Sequence, residues 1–440
     1  MRRLVEKISP KRGSVRDVSV SLLGWTMRIA GAACGFFTFR QLFVAIGAEG
    51  VAAIAILQSV AGWVTILEVG TGFVAQNFLV NAKLTGADSR AGLSRLLLRP
   101  LYLSFGAALV LAIFQEAWFQ FVTAGEAAAG LRVMPGFVLA CTVFFLLSVL
   151  SGPVIRILYA EGKTVLANAL PVVGSVLSFA AVLTCQRLGI KSLEAYVGCM
   201  IIPPVLPLMY IAVKRLTAGA TSPRSGEIVV PAWKGHVDYT VFNFASILVL
   251  RVDIYVLSRV LGAEQLVAYI TVQKLFSLVF LGPQTLLSTV HPKFSALFME
   301  GRHAELGRMA VMYGLLPSAA LVFAATGLAL FDREICTIVT SGNLSTFGLG
   351  LIGAALLYYV FRVWTDAWAT VLLATDRARK LLAPTLLQGI ISAPLLYGMG
   401  AYFGEAGGYL ALVVAFLLTT AWWAPRVALR AIGRPREAVA

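Results

Sequence analysis

Residues 46–87 read IGAEGVAAIAILQSVAGWVTILEVGTGFVAQNFLVNAKLTGA. From Val51 to Ala82 the stretch carries a single charge, Glu68, and it then breaks at Lys83 and Gly86. A helix needs roughly 20 predominantly apolar residues to cross the hydrocarbon core of a bilayer, so this segment is long enough to span. Similar runs recur along the whole chain. The predicted spans are 18–46, 51–82, 96–122, 133–159, 165–186, 193–213, 237–261, 266–291, 309–331, 347–375, 381–403 and 407–427. The chain is 59% hydrophobic and 13% charged, whereas a soluble domain carries about 25% charged residues. Repeated runs of this length argue against a soluble helical protein. A membrane barrel would instead show short alternating segments. The expected fold is all-α and integral to the membrane, with twelve transmembrane helices.

The net charge of +15 resembles that of a nucleic-acid binder, but its distribution indicates otherwise. With the N-terminus placed in the cytoplasm, 26 Lys and Arg residues fall in the two tails, the inner loops and their flanks. The outer loops hold only Arg132, Arg187, Lys191 and Arg333. By the positive-inside rule both termini are cytoplasmic. Most of the basicity thus serves topology and attraction to anionic membrane lipids, and no nucleic-acid partner is needed to explain it. The first span follows a charged tail and is too long for a signal-peptide core, so it is expected to be retained.

The longest polar interval at mid-chain, 214–236, divides the chain into two sets of six helices. The expected plan is a cytoplasmic tail (1–17), an N-lobe (18–213), a cytoplasmic linker (214–236), a C-lobe (237–427) and a cytoplasmic C-terminal tail (428–440). The halves share local matches. Gly47-Ala48-Glu49 returns as Gly262-Ala263-Glu264 at an offset of 215 residues, and the same offset brings Gln58 onto Gln273 and Gly86 onto Gly301. Repeats with an even number of helices are parallel, related by an axis along the membrane normal, and enclose a central site near the midplane.

Six basic residues lie inside the predicted spans: Arg28, Arg40, Arg251, Arg259, Lys274 and Arg362. A charge at the bilayer centre costs at least about 2.5–3.5 kcal/mol and marks function. Arg28 lies roughly 16 Å into the first span, too deep to snorkel out readily. Only Glu68, Asp253 and Asp366 are clearly deep acids. Arg362 and Asp366 stand at i and i+4 and can pair on one helix face; Glu68 and Asp253 are candidates for pairing or for coupling to an ion. For Arg40, Arg259 and Lys274, an ion pair or a snorkelling end residue serves equally well. The basic excess favours an anionic ligand, because the planar fork of arginine binds phosphate oxygens in pairs and stays charged. Arg28, Arg251 and Arg362, with Arg40, are the candidate anion-binding residues.

There is no phosphate-binding GxxxxGK[ST] loop, no HExxH and no GxSxG, so neither an ATPase nor another enzyme is expected. No metal ligands pair up, and no cofactor is expected. The five cysteines (Cys34, Cys141, Cys185, Cys199, Cys336) are scattered along the sequence without CxxC spacing and read as small apolar residues.

The opening stretch resembles the first hairpin of Wzx-type polysaccharide flippases. The resemblance rests on Ile46-Gly47, on Glu68-Val69-Gly70-Thr71-Gly72 and on Lys83 with Arg90. The second copy, residues 261–302, LGAEQLVAYITVQKLFSLVFLGPQTLLSTVHPKFSALFMEGR, is similar to that family's second-half hairpin. Gln76 and Asn77 stand where many members carry a basic residue. The resemblance implies the multidrug/oligosaccharidyl-lipid/polysaccharide (MOP) exporter fold, with two six-helix lobes. It also implies flipping of undecaprenyl-diphosphate-linked sugar repeats across the inner membrane for O-antigen, capsule or exopolysaccharide. The partners implied are the lipid-linked oligosaccharide, a polysaccharide polymerase and chain-length proteins. A drug/cation antiporter of the MATE type is the alternative, and it should have an acidic interior. A membrane glycosyltransferase would need a large outer loop, and the outer stretches here, such as 332–346, are short.

Overall fold

The computed structural model describes residues 15–64, 89–123, 134–220, 252–375 and 379–433, with residue 377 and isolated positions between 71 and 79. Among these residues all regular structure is helical. The helices of the first half are α1 (Val15–Val64), α2 (Arg90–Ile113), α3 (Gln115–Thr123), α4 (Pro135–Leu147), α5 (Ser151–Ala160), α6 (Thr164–Arg187) and α7 (Leu193–Ala220). Those of the second half are α8 (Val252–Leu257), α9 (Ala263–Met299), α10 (His303–Leu330), α11 (Asp332–Thr340), α12 (Leu349–Ala374), α13 (Arg379–Leu418) and α14 (Thr420–Gly433). Helices suit this sequence because lipid offers no hydrogen bonds, and a helix satisfies its own backbone.

Eight described helical stretches are long and apolar enough to cross a membrane. Two of them hold more than one predicted span, and each is broken at a glycine. Gly47 (φ 66°) separates the first and second spans within α1, and Gly404 (φ 65°) separates the eleventh and twelfth within α13. Both glycines occupy the left-handed region that a side chain disfavours. At Gly404 the chain doubles back, since a Cβ on Gly407 would lie 2.0 Å from the Met399 carbonyl oxygen. Residues eight apart in a continuous helix are separated by about 12 Å, so this approach requires a reversal.

Other predicted spans are interrupted. The third is split into α2 and α3 at Phe114, and the fourth passes from α4 to α5 through a 3-10 turn, Ser148–Leu150. The sixth continues as α7 to Ala220, beyond its expected end at 213. Most of the linker, the first part of the seventh span and the latter part of the second lie outside the described residues. The stretch 332–346, read as a loop, begins with the amphipathic α11. The Asp332 carboxylate accepts hydrogen bonds from the backbone N–H groups of Phe347 (2.8 Å) and Gly348 (3.1 Å), tying this segment to the start of α12.

The buried side chains form three clusters. One belongs to the first half alone and includes Val74, Leu96, Ile157 and Leu208. Another belongs to the second half alone and includes Phe294, Met309, Trp368 and Ala428. The largest draws on both halves, joining Phe39, Leu42 and Ile56 to Leu257, Tyr269 and Tyr359. The two lobes therefore share one core at the end carrying Gly47 and Gly262 and keep separate cores at the other. Many large apolar side chains face outward, among them Phe105, Phe323, Ile390 and Tyr402. Such a surface is too extensive for a protein in water and suits contact with lipid.

Candidate functional site: a charged cavity beneath the shared core

The halves meet around a cavity of about 320 Å³. The first half contributes Phe39, Ile54, Ala55, Gln58, Ser59 and Met200, and the second contributes Asp253, Ile270, Gln273, Lys274, Ser277, Tyr359 and Arg362. The offset of 215 residues relates lining residues across the seam: Phe39 to Ile254, Ala55 to Ile270, Gln58 to Gln273 and Ser59 to Lys274. At the closed end, Gly47, Ala48 and Glu49 line a second cavity together with Gly262, Ala263 and Glu264. The repeat read from the sequence thus places matched residues against one another in space.

Gln273 and Ser277 stand one turn apart on α9, with Lys274 beside them, so one helix face presents amide, ammonium and hydroxyl to the cavity. Asp253, only 3% exposed, is held from α9. Its Oδ2 accepts hydrogen bonds from the Tyr269 hydroxyl (2.7 Å) and the Gln273 amide (2.9 Å). Bonds to an ionised acceptor are the stronger kind, and here they offset part of the cost of burying a carboxylate. Tyr269 is in turn stacked on Tyr409 at 4.4 Å. The Tyr359 hydroxyl donates to the Gln273 carbonyl (3.1 Å) and shares a hydrogen bond with Ser277 (3.0 Å).

Arg362 enters from α12. Its guanidinium lies over the Phe280 ring at 4.5 Å and donates to the Tyr358 hydroxyl at 3.2 Å. The i+4 partner Asp366 stands 3.9 Å from Nε and is 41% exposed, against 18% for Arg362. At that distance the pair is loose, and the arginine keeps donors for another acceptor. Lys274 lies over the Phe39 ring at 4.6 Å, so a second-half cation contacts a first-half aromatic face. Among the described lining residues all charges come from the second half: Asp253, Lys274 and Arg362.

Of the residues singled out in the sequence, Asp253 and Arg362 line the cavity, with Asp366 one turn beyond. Arg40 is not among the lining residues; its Nε is buried without a hydrogen-bond partner among the described residues. The Arg28 side chain, Arg251 and Glu68 lie outside the described residues. Lys274, for which an ion pair or a snorkelling end residue served equally well in the sequence, also lines the cavity, beside Gln273 of the repeat.

Arg259 serves another purpose. Its Nη2 donates to the carbonyl oxygen of Phe121, at the end of α3, at 2.5 Å, and the Tyr255 hydroxyl donates to the same oxygen at 3.0 Å. Arg259 also bonds the Tyr255 hydroxyl, and the Phe121 ring lies 4.8 Å from that of Tyr255. This knot ties the second half to the first near the shared core.

No family model matches the chain. A Yersinia pseudotuberculosis protein named for O-antigen export is 22% identical over 430 residues, covering 93% of this chain and 94% of that one. An inward-facing multidrug-resistance MATE transporter of the MOP superfamily superposes with a TM-score of 0.69 at 14% identity, over 94% of this chain and 98% of the other. The lipid II flippase MurJ in an inward closed conformation superposes with a TM-score of 0.67 at 13% identity, over 93% and 90%.

Proposed function

We propose that this chain, a multi-pass membrane protein with the fold of the MOP exporter superfamily, flips lipid-linked oligosaccharides across the bacterial inner membrane. The product would feed a surface polysaccharide such as O-antigen, capsule or exopolysaccharide. The observation that carries this reading is the cavity under the shared core, where Lys274 and Arg362 are set among aromatic and amide side chains. A diphosphate needs cations, preferably with a free arginine fork. Sugar rings need aromatic faces and hydrogen-bonding groups, which Phe39, Tyr359, Gln58 and Gln273 supply. The near full-length similarity to a protein named for O-antigen export points the same way. A cation antiporter is less well served, since the described lining residues place two cations against one carboxylate.

In this reading the termini are cytoplasmic and the shared-core end faces outward, so the structure is open toward the cytoplasm. Substrate enters between the separate cores, its diphosphate held by Arg362 and Lys274 with help from Arg28 and Arg251. The seam at Gly47 and Gly262 then parts as the inner ends close. Ligand binding shifts such an equilibrium only by the difference in its affinity for the two states, so the charge contacts must change as the lobes rock. Asp253, bonded to Tyr269 and Gln273, would hold α8 on α9 during that motion. A polymerase and chain-length proteins would act on the product.

Cells lacking this protein test the reading. Wild-type complementation restores surface polysaccharide, whereas the Arg362→Ala, Lys274→Ala double variant, inserted at normal levels, does not. If that variant exported polymer normally, the diphosphate site would not be this cavity. Changed drug resistance with unchanged polysaccharide would favour the antiporter.

A further inference from the structure

The cysteines scattered along the sequence do not stay apart. α6 and α7 form a hairpin whose turn uses Gly189 (φ 68°), and it brings the Cys185 and Cys199 sulfurs to 3.4 Å. Both side chains are half-buried. Neighbouring bonds hold the hairpin end: the Gln186 amide donates to the Gln41 carbonyl at 2.7 Å, and the Tyr196 hydroxyl donates to the Ile190 carbonyl at 2.9 Å. Deeper along the same pair of helices, a Cβ on Gly174 would lie 2.5 Å from the Pro204 Cα, so the two backbones are in close contact there. Among the described residues no other pair of cysteine sulfurs meets.

We propose that Cys185 and Cys199 form a disulfide that staples the loop end of α6 to α7. A covalent S–S bond is about 2.05 Å long, so bond formation draws the two sulfurs about 1.3 Å closer. The oxidant is a disulfide of an envelope thiol–disulfide oxidoreductase. One cysteine thiolate attacks it to give a mixed disulfide and one released donor thiol. The second thiolate then displaces the other donor sulfur. The chain loses two protons and two electrons, and the donor disulfide becomes a dithiol. This rests on the proposed orientation, which puts the loop after Arg187 on the oxidising side, where disulfides persist.

The staple has a consequence for the cavity. Met200, beside Cys199, lines it, and Pro203, Pro204 and Pro207 follow within α7. Prolines in a helix interior remove backbone bonds and bend it. Linked to α6, the part of α7 before the prolines moves with α6, and motion of α7 concentrates at the proline run.

The test is thiol counting on the full-length protein, acid-quenched from membranes and denatured with an alkylating reagent. Wild type should expose three thiols before reduction and five after, and mass spectrometry should find the two peptides joined. Cys185→Ser should expose four thiols, with Cys199 now free. Five free thiols before reduction would overturn the proposal whichever way the hairpin faces. Topology is read separately, by labelling Lys191→Cys in intact cells with an impermeant maleimide. Labelling from outside supports the orientation; labelling only after lysis overturns the orientation, and with it the envelope donor.

Discussion

In the proposed function, Arg362, which lines the cavity, is the main contact for the diphosphate. Its guanidinium is seated on Phe280 and bonded to Tyr358, but its carboxylate neighbour stands 3.9 Å away. Arg362→Ala should lower export of surface polysaccharide at least about tenfold, the equivalent of roughly 1.4 kcal/mol, at normal membrane levels. Arg362→Lys should recover only part, because a point charge lacks the fork that grips two oxygens. Gel analysis of extracted polysaccharide reads both. That this arginine stands deep in an apolar run could be read from the sequence. Its aromatic seat could not, because Phe280 and Arg362 are 82 positions apart. At the expected cytoplasmic surface, Glu161 accepts hydrogen bonds from Arg215 at 2.5 Å and ion-pairs with Lys163 at 2.9 Å. Burial pushes its carboxyl pKa up, but the two cations outweigh burial and hold it below the ordinary value. The group then stabilises the fold fully above the unfolded carboxyl pKa of about 4.3, and this contribution is lost as pH falls through the lower folded value. Glu161→Gln should cost about 1 kcal/mol at neutral pH. The difference from wild type should shrink in thermal unfolding as pH falls below the unfolded value of about 4.3.

At the scale of elements, glycine and proline decide where helices turn. The sequence placed breaks between its apolar runs at 46–51 and 403–407, but it did not show that helix continues directly on both sides of Gly47 and Gly404. Nor did it show the 3-10 turn at Ser148–Leu150, because a short irregularity inside an apolar run leaves no break in hydropathy. The reversal at Gly404 leaves no room for a side chain at Gly407, and a Cβ on Gly408 would meet the Leu257 side chain of α8 at 2.6 Å. Gly407→Val should therefore prevent the last two passes from packing, and membrane levels should fall several-fold relative to Gly398→Ala, which meets nothing within 4 Å. Quantitative immunoblotting of membranes checks this. The seam knot is also an element-scale device, since Arg259 and Tyr255 reach across to the end of α3. Arg259→Ala removes that tie and should favour parting of the seam, so a cysteine placed at Gln58 should react faster with an impermeant maleimide added outside. An unchanged rate would mean the knot does not hold the seam.

At the scale of the whole molecule, the described residues form two lobes joined by a shared core, with a charged cavity between the halves. The 26-to-4 charge bias and the repeat at an offset of 215 residues were in the sequence. The state of the molecule was not, because hydropathy is the same whichever ends of the lobes meet. Residues such as Leu96 and Leu208 in one half and Phe294 and Trp368 in the other belong to separate cores, while Leu42, Leu257 and Tyr359 meet in the shared one. In the proposed function, rocking about that arrangement would expose the cavity to one side and then the other, and its cations would select an anionic passenger. The most direct measurement uses purified protein in phospholipid vesicles loaded on one leaflet with a polyprenyl-diphosphate oligosaccharide. Transfer is followed by the sugar becoming accessible to an enzyme on the opposite side. Wild type should move the sugar far faster than protein-free vesicles, and the Arg362→Ala, Lys274→Ala protein should not. Equal rates with and without the wild-type protein would contradict the account.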